Sequence, residues 1–258
     1  MDALVGRHAL ITGGGTGIGA AIAVALAASG ARLSIAGRRR GPLEETAARL
    51  PGTLVIEADV TRETDCAAMA EAARAVHGAI DIVIANAGAA ESAPINRIDL
   101  SHWQRMLDVN LTGAFLTVKS ALPDLLRPAA AAENVRRIVL VASTAGIKGY
   151  PYVAAYCAAK HGVVGLARAL AAELGPRGIT ANAVCPGFTE TPLLEESIAN
   201  IVAKTGRSEE AARSTLAAGN PQGRFVRPEE VAAAVSWLCQ PSSASVTGQA
   251  ISVSGGEA

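Results

Sequence analysis

Aromatic side chains are scarce in this 258-residue chain, which has three tyrosines, three phenylalanines and two tryptophans. Lysine is scarce too: four of the 23 basic residues are Lys119, Lys148, Lys160 and Lys204, and the other 19 are arginine. Charge of one sign is also missing. The formal net charge is zero, which argues against a nucleic acid or an anionic membrane as partner, since both favour a basic surface. Cys66, Cys157, Cys185 and Cys239 are far apart, form no CxxC pair and sit among small or apolar neighbours, the pattern of reduced, buried thiols in a cytoplasmic protein. The histidines at 8, 77, 102 and 161 have no metal-ligand spacing, so no metal is expected. The longest apolar stretch, around Ala20–Ala28, is too short to span a bilayer. A strand-like run begins as early as His8 and is expected to leave no room for a signal peptide.

Half of the residues are hydrophobic, enough for a substantial core. Short β-like runs alternate with longer helical ones. HALIT (8–12), RLSIA (32–36), TLVIEA (53–58), IDIVIA (80–85), RIVLVA (137–142), ITANAV (179–184) and AISVS (250–254) read as strands. Helices are expected at 17–29, around Leu43–Leu50, at 63–76, 101–126, 152–174 and 227–239, with 101–126 disturbed at Gly113 and Pro123. The alternation predicts one Rossmann-like, doubly wound α/β domain over 1–258, with about seven parallel strands and helices on both faces. The near-continuous Val/Ile/Leu/Ala strands fit a sheet covered on both sides. One long polar segment, 188–220, breaks the rhythm, and its position after a strand predicts a substrate lid.

TGGGTGIG (12–19) runs from the first strand into the first helix. There the glycines would let a pyrophosphate approach main-chain N–H groups at a helix N-terminus, although the spacing Gly13, Gly17, Gly19 departs from G-x-G-x-x-G. The second strand ends in Arg38-Arg39-Arg40 with no carboxylate to hold a ribose 2′-hydroxyl. Guanidinium groups suit a 2′-phosphate, so NADP(H) is expected over NAD(H), the alternative being a solvated basic loop. Thr16, a second position where a basic residue could have supported this, is neutral.

In AAYCAAK (154–160) a rare tyrosine stands four residues before a rare lysine, one helical turn apart on the same face. A lone Tyr on an Ala-rich helix is ordinarily packing. Here it follows TGGGTGIG, Asp59-Val60, Ala85-Asn86-Ala87-Gly88, Asn110 and Ser143, and precedes Pro186-Gly187. In this order the whole chain resembles the short-chain dehydrogenase/reductase family, with Ala85 where the family pattern has Asn. The run 157–192 looks like the ketoreductases of fatty-acid and aromatic polyketide synthesis and their acyl-CoA-acting relatives.

The resemblance implies that Tyr156 is the general acid on a carbonyl oxygen and that Ser143 hydrogen-bonds the same oxygen. Lys160 would hold the nicotinamide ribose and lower the tyrosine's pKa, and Asn110 would position a water behind Lys160. Gly13, Gly15, Thr16, Gly17, Ile18 and Gly19 would cradle the pyrophosphate, with Arg38 and Arg39 on the 2′-phosphate. Asp59 and Val60 would flank the adenine, and Asn86, Ala87 and Gly88 its ribose. Pro186, Gly187, Thr189 and Thr191 would cover the nicotinamide end. The substrate pocket is expected to draw on Ser143, Ala145, Tyr150, Val153, Tyr156, Gly187 and Leu193. The expected reaction is reduction of a ketone, first a 3-oxoacyl thioester on acyl carrier protein or coenzyme A. The alternatives are catabolic oxidation of a secondary alcohol or 3-hydroxyacyl-CoA and, in a different class, a non-catalytic nucleotide-binding regulator. Family members are commonly homotetramers, and the C-terminal GQAISVSGGEA looks like their interface strand.

Overall fold

The computed structural model describes residues 3–128 and 135–258. The strands are β1 (His8–Thr12), β2 (Arg32–Gly37), β3 (Leu54–Glu57), β4 (Ile82–Ala85), β5 (Arg136–Val141), β6 (Ile179–Pro186) and β7 (Ala250–Val253). They form one parallel seven-stranded sheet in the order β3-β2-β1-β4-β5-β6-β7. The seven runs read from sequence are these strands, shifted by no more than two residues at any end.

Because alternate residues of a strand point to opposite faces, each fully apolar strand feeds two cores. Leu10, Val83, Ile138, Leu140, Ala181 and Ala183 face α3 (Glu63–His77), α5 (Gly113–Leu125) and α6 (Ala154–Leu174). Ala9, Ile11, Ile82, Ile84, Val139 and Val184 face α1 (Gly17–Ala28), α2 (Arg40–Ala47) and α9 (Pro228–Cys239). The chain runs outward from β1 to β3, then returns to place β4 on the other side of β1. That reversal opens a crevice at the carboxyl ends of β1 and β4, the position where ligands bind in open α/β sheets.

Two local expectations are corrected. The predicted helix 101–126 is α4 (Leu100–Leu107), a π-helical turn at Asp108–Thr112, and α5. The disturbance ends just before Gly113, and Pro123 fits within the last turn of α5. The predicted helix at 152 starts at Ala154, because Tyr152 adopts φ +67°, a left-handed backbone that cannot continue a helix. The 188–220 excursion contains α7 (Pro192–Thr205) and α8 (Glu209–Ala217). It has its own small cluster of buried residues, Leu194, Ile198 and Ala212, apart from both sheet cores. Among the described residues no helix is long and apolar enough to cross a membrane.

Candidate active site

The first helical turn of α1 supplies the anion end of the crevice. Gly13 and Gly14 N–H donate to the Ala36 carbonyl, at 2.7 and 3.3 Å, and Thr16 caps the helix without a side-chain hydrogen bond, so the opening N–H groups of α1 itself are left to a ligand. The loop is tight enough to demand glycine at two points. Gly13 has φ +68°, and a Cβ on Gly19 would lie 2.1 Å from the Gly13 carbonyl oxygen. The loop is tied to the end of β4: Asn86 Nδ2 donates to the carbonyls of Thr12 (3.0 Å) and Gly13 (3.2 Å). The Thr12 hydroxyl oxygen accepts from the backbone N–H of Asn86 and Ala87, at 3.2 and 3.3 Å. Thr12 was missed in the sequence, where a threonine ending a strand carries no signal of its own.

At the end expected to hold adenosine, Arg38 and Arg39 are exposed and no hydrogen bond or ion pair among the described residues engages their side chains, whereas Arg40 is held by Glu44 at 2.7 Å. Asp59 accepts from the Thr61 backbone and hydroxyl, at 2.9 and 2.8 Å. Burial acts to raise its pKa, but these bonds and the charges of Arg38 and Arg62 outweigh it and hold the carboxyl below its usual range. Val60 turns its side chain inward, where a Cβ on Gly113 would lie 2.7 Å from its Cγ2.

The π-helical turn presents Asn110, 1% exposed. Such widened turns recur at functional positions. The Asn110 amide donates to the carbonyls of Ala89 (2.9 Å) and Met106 (3.0 Å), and its oxygen accepts from Ala89 N–H (3.2 Å). One amide proton is thereby spent on the loop after β4 and the other on α4. A Cβ on Gly88 would sit 2.8 Å from Asn110 Oδ1 and 3.6 Å from Lys160 Nζ, so these two side chains converge beneath Gly88.

Lys160 is 4% exposed. Its ammonium donates to the Val141 carbonyl at 2.9 Å and lies 5.6 Å from the centroid of the Tyr156 ring, within cation–π range. Two of its three protons remain to be placed. Ser143, extended just past β5, accepts from Ala145 N–H at 3.1 Å, which fixes its hydroxyl near Tyr156, on whose phenol it acts to lower the pKa. The expectation that Lys160 lowers the pKa of Tyr156 does not hold for the protein itself. Burial pushes the phenol up to about 12, Ser143 pulling the other way, and burial brings Lys160 down to about 8. Each group is favoured in its uncharged form because surrounding protein replaces water. His161, exposed, bonds back to the Cys157 carbonyl at 2.9 Å, away from Lys160.

Across the cleft Gly187 continues the ladder with β7 through a 3.0 Å bond to the Val253 carbonyl. Thr189 donates to the Gly187 carbonyl (2.9 Å) and Thr191 to that of Thr189 (3.1 Å). A Cβ on Gly17 would lie 2.9 Å from Thr191 Cγ2, so the start of α7 closes over the glycine loop. Pro186 ends β6. Two expected pocket residues are engaged by the protein itself. Ala145 is 2% exposed and braces Ser143 rather than forming an open wall. The Tyr150 hydroxyl is already engaged by Thr144 (2.7 Å) and Glu257 (2.6 Å). Val153 and Leu193 are half-buried. Glu257 and Lys148, both missed, join this end of the site; Lys148 could have been flagged as one of only four lysines. Among the described residues no cluster of three His, Cys, Asp or Glu could hold a metal.

The family model described as "Enoyl-(Acyl carrier protein) reductase" matches residues 13–257. The chain belongs to the short-chain dehydrogenase/reductase family. It is 36% identical over 260 residues to a cis-4-hydroxycyclohexanecarboxylate dehydrogenase of Sinomonas cyclohexanicum, covering 99% of this chain and 98% of that one. It is 38% identical over 252 residues to granaticin polyketide synthase putative ketoacyl reductase 1 of Streptomyces violaceoruber, covering 96% and 92%. The fold matches a variant of actinorhodin polyketide ketoreductase crystallised with NADPH, with a TM-score of 0.89, 35% identity and 97% of each chain covered. As a member of this family the chain is a nicotinamide-dependent oxidoreductase acting on the CH–OH/C=O couple.

Proposed function

We propose that this enzyme reduces a ketone to a secondary alcohol with NADPH, and that its substrate is a 3-oxoacyl thioester on acyl carrier protein or coenzyme A. The observation that carries the reaction is the hydroxyl pair of Ser143 and Tyr156, set past the carboxyl end of β5 with the Lys160 ammonium beneath it. Bound nicotinamide supplies the hydride. Ser143, its oxygen anchored by Ala145 N–H, orients a carbonyl oxygen toward Tyr156. Tyr156, held protonated near neutral pH, gives its proton to that oxygen. Lys160, with one proton on Val141, has two left for ribose hydroxyls and for a water. Asn110 has no amide proton left, so a water at this point is held by Oδ1 or by the main-chain carbonyls of the widened turn.

The cofactor preference rests on Arg38 and Arg39, exposed beyond β2 with no hydrogen bond or ion pair among the described residues, and is supported by the NADPH-bound ketoreductase. The thioester rests on the ketoacyl reductase relatives. A second reading, oxidation of a secondary alcohol in catabolism, is favoured by the dehydrogenase relatives and uses the same residues in reverse. We place the protein in the cytoplasm, as a homotetramer like other family members. Steady-state rates with NADPH and NADH on acetoacetyl-CoA, simple ketones, cyclic alcohols and an enoyl thioester separate these readings. Reduction of acetoacetyl-CoA with NADPH is expected to be the fastest. Preference for an alcohol with NAD+, or no thioester activity, would overturn the substrate assignment.

A further inference from the structure

Glu257 stands beyond every recognised motif, yet its side chain is 3% exposed. A carboxylate removed from water needs partners. Glu257 Oε1 accepts from the Tyr150 hydroxyl at 2.6 Å and faces Lys148 Nζ at 3.2 Å. Lys148 also donates to the Glu257 carbonyl at 3.2 Å, and its ammonium lies 4.9 Å from the Tyr150 ring centroid. Tyr150 has one proton to give. The carboxylate takes it, and the Thr144 hydroxyl, 2.7 Å away, can donate to Tyr150 in turn. Burial and the neighbouring carboxylate push the phenol of Tyr150 well above its usual range, so it stays a donor. This chain of bonds ends one residue from Ser143.

The other side of the same carboxylate meets the excursion. A Cβ on Gly187 would lie 3.2 Å from Glu257 Oε2, and one on Gly219 would lie 3.1 Å from Oε1. Gly187 is where the chain leaves β6 for the excursion, and Gly219 is where it comes back. One buried charged group thus touches both roots of the 188–220 segment and the loop that carries Ser143.

We infer that Glu257 is a positioning residue that locks the 188–220 segment against the Ser143 loop and so sets how tightly a substrate is held. The inference rests on the reading of Ser143 and the excursion as the substrate side of the site. Without the carboxylate, Lys148 and Tyr150 lose their shared partner, and the loop and both roots of the excursion lose their common anchor. Misplacement of this kind acts first on substrate fit, and reaches the glycine cradle only through Thr191, which packs on Gly17.

The test compares full-length Glu257→Ala, Glu257→Gln and Tyr150→Phe with the wild type. KM and kcat are measured on a ketone that the wild type reduces, NADPH affinity by fluorescence titration, and tryptic cleavage at Lys204, Arg207 and Arg213 in the excursion without substrate. Glu257→Ala is expected to raise KM about tenfold to a hundredfold. NADPH affinity should fall by a smaller factor than KM rises, and cleavage in the excursion should speed up. Glu257→Gln, which still accepts from Tyr150, should recover part of the KM. Adding Tyr150→Phe to Glu257→Ala should add nothing, because both break one chain of bonds. A wild-type KM with unchanged trypsin resistance would overturn the inference, as would a loss of NADPH affinity that matches the loss of turnover. If Glu257→Ala does not fold, Glu257→Gln and Tyr150→Phe carry the same comparison. If no carbonyl compound is reduced by the wild type, the ketoreductase reading fails, and the rate of cleavage alone still decides whether Glu257 locks the excursion.

Discussion

Ile84 and Ile198 are both buried isoleucines, at 0% and 2% exposure, but they belong to regions of different construction. Ile84 sits mid-sheet, paired in register with Ile11 on β1 and Val139 on β5, in a core shared with α1 and α9. Ile198 packs in the excursion, where only Leu194 and Ala212 are as deeply buried and Phe188, Val202, Leu216 and Phe225 close the cluster partway. On the function proposed above, the difference separates holding chemistry in place from admitting a substrate. Tyr156, Lys160, Ser143 and the glycine loop are all rooted in the sheet and its helices. The segment facing them is a small second cluster joined at two glycines.

The largest effect should come from the sheet side. Tyr156→Phe is expected to lower turnover by about 10²–10⁴-fold, by the same factor on every substrate in a panel, with NADPH still bound in fluorescence titration. Near-normal turnover would refute the assignment of the proton donor. Next, equal truncations in the two regions should behave differently. Ile84→Ala should cost about 2–5 kcal/mol and lower the Tm of the whole protein. Ile198→Ala should leave most of the Tm in place while raising KM, more for large substrates than for small ones. Equal falls in Tm from the two changes, read by calorimetry, would show that the excursion folds as one unit with the sheet. The smallest effect concerns protonation. Lys160 gives up its proton near pH 8 and Tyr156 only near 12. Raising pH through about 8 therefore removes the ammonium while the acid stays in place, so kcat/KM for reduction should decline there. The same decline is expected in Ile198→Ala, since the excursion holds neither group. A profile flat from about pH 7 to about 10 would show that Lys160 acts without its charge.

Much of the frame was legible because it is local. A parallel strand covered on both faces must be apolar at every position, so HALIT, IDIVIA and RIVLVA announce themselves. Tyr156 and Lys160 are one turn apart in any helix, so their shared face needed no fold to be seen. A disturbance near Gly113 was legible, but its form as a π-helical turn at Asn110 was not. The sequence there continues a helical pattern, and the widening is stabilised by contacts to Ala89, 21 residues away. The left-handed Tyr152 was missed for a similar reason: its carbonyl accepts from Ala93 N–H at 2.8 Å, a distant partner that holds a backbone a tyrosine rarely adopts. The exposed Arg38 and Arg39 could be anticipated as a basic loop, but the capture of Arg40 by Glu44 depended on α2 beginning at Arg40.

The sequence by itself determined the alternation of strands and helices, the glycine turn into α1, and the acid and lysine on one helical face. These depend on periodicity, backbone freedom and spacing, which a chain carries before it folds. Only the tertiary structure decided the return of β4 to the far side of β1, the upward push on Tyr156 in place of the expected lowering, and the placement of Glu257 against Tyr150, 107 residues away. Burial, and therefore the energy of a charge, belongs to the surroundings that folding assembles, and no local pattern contains it.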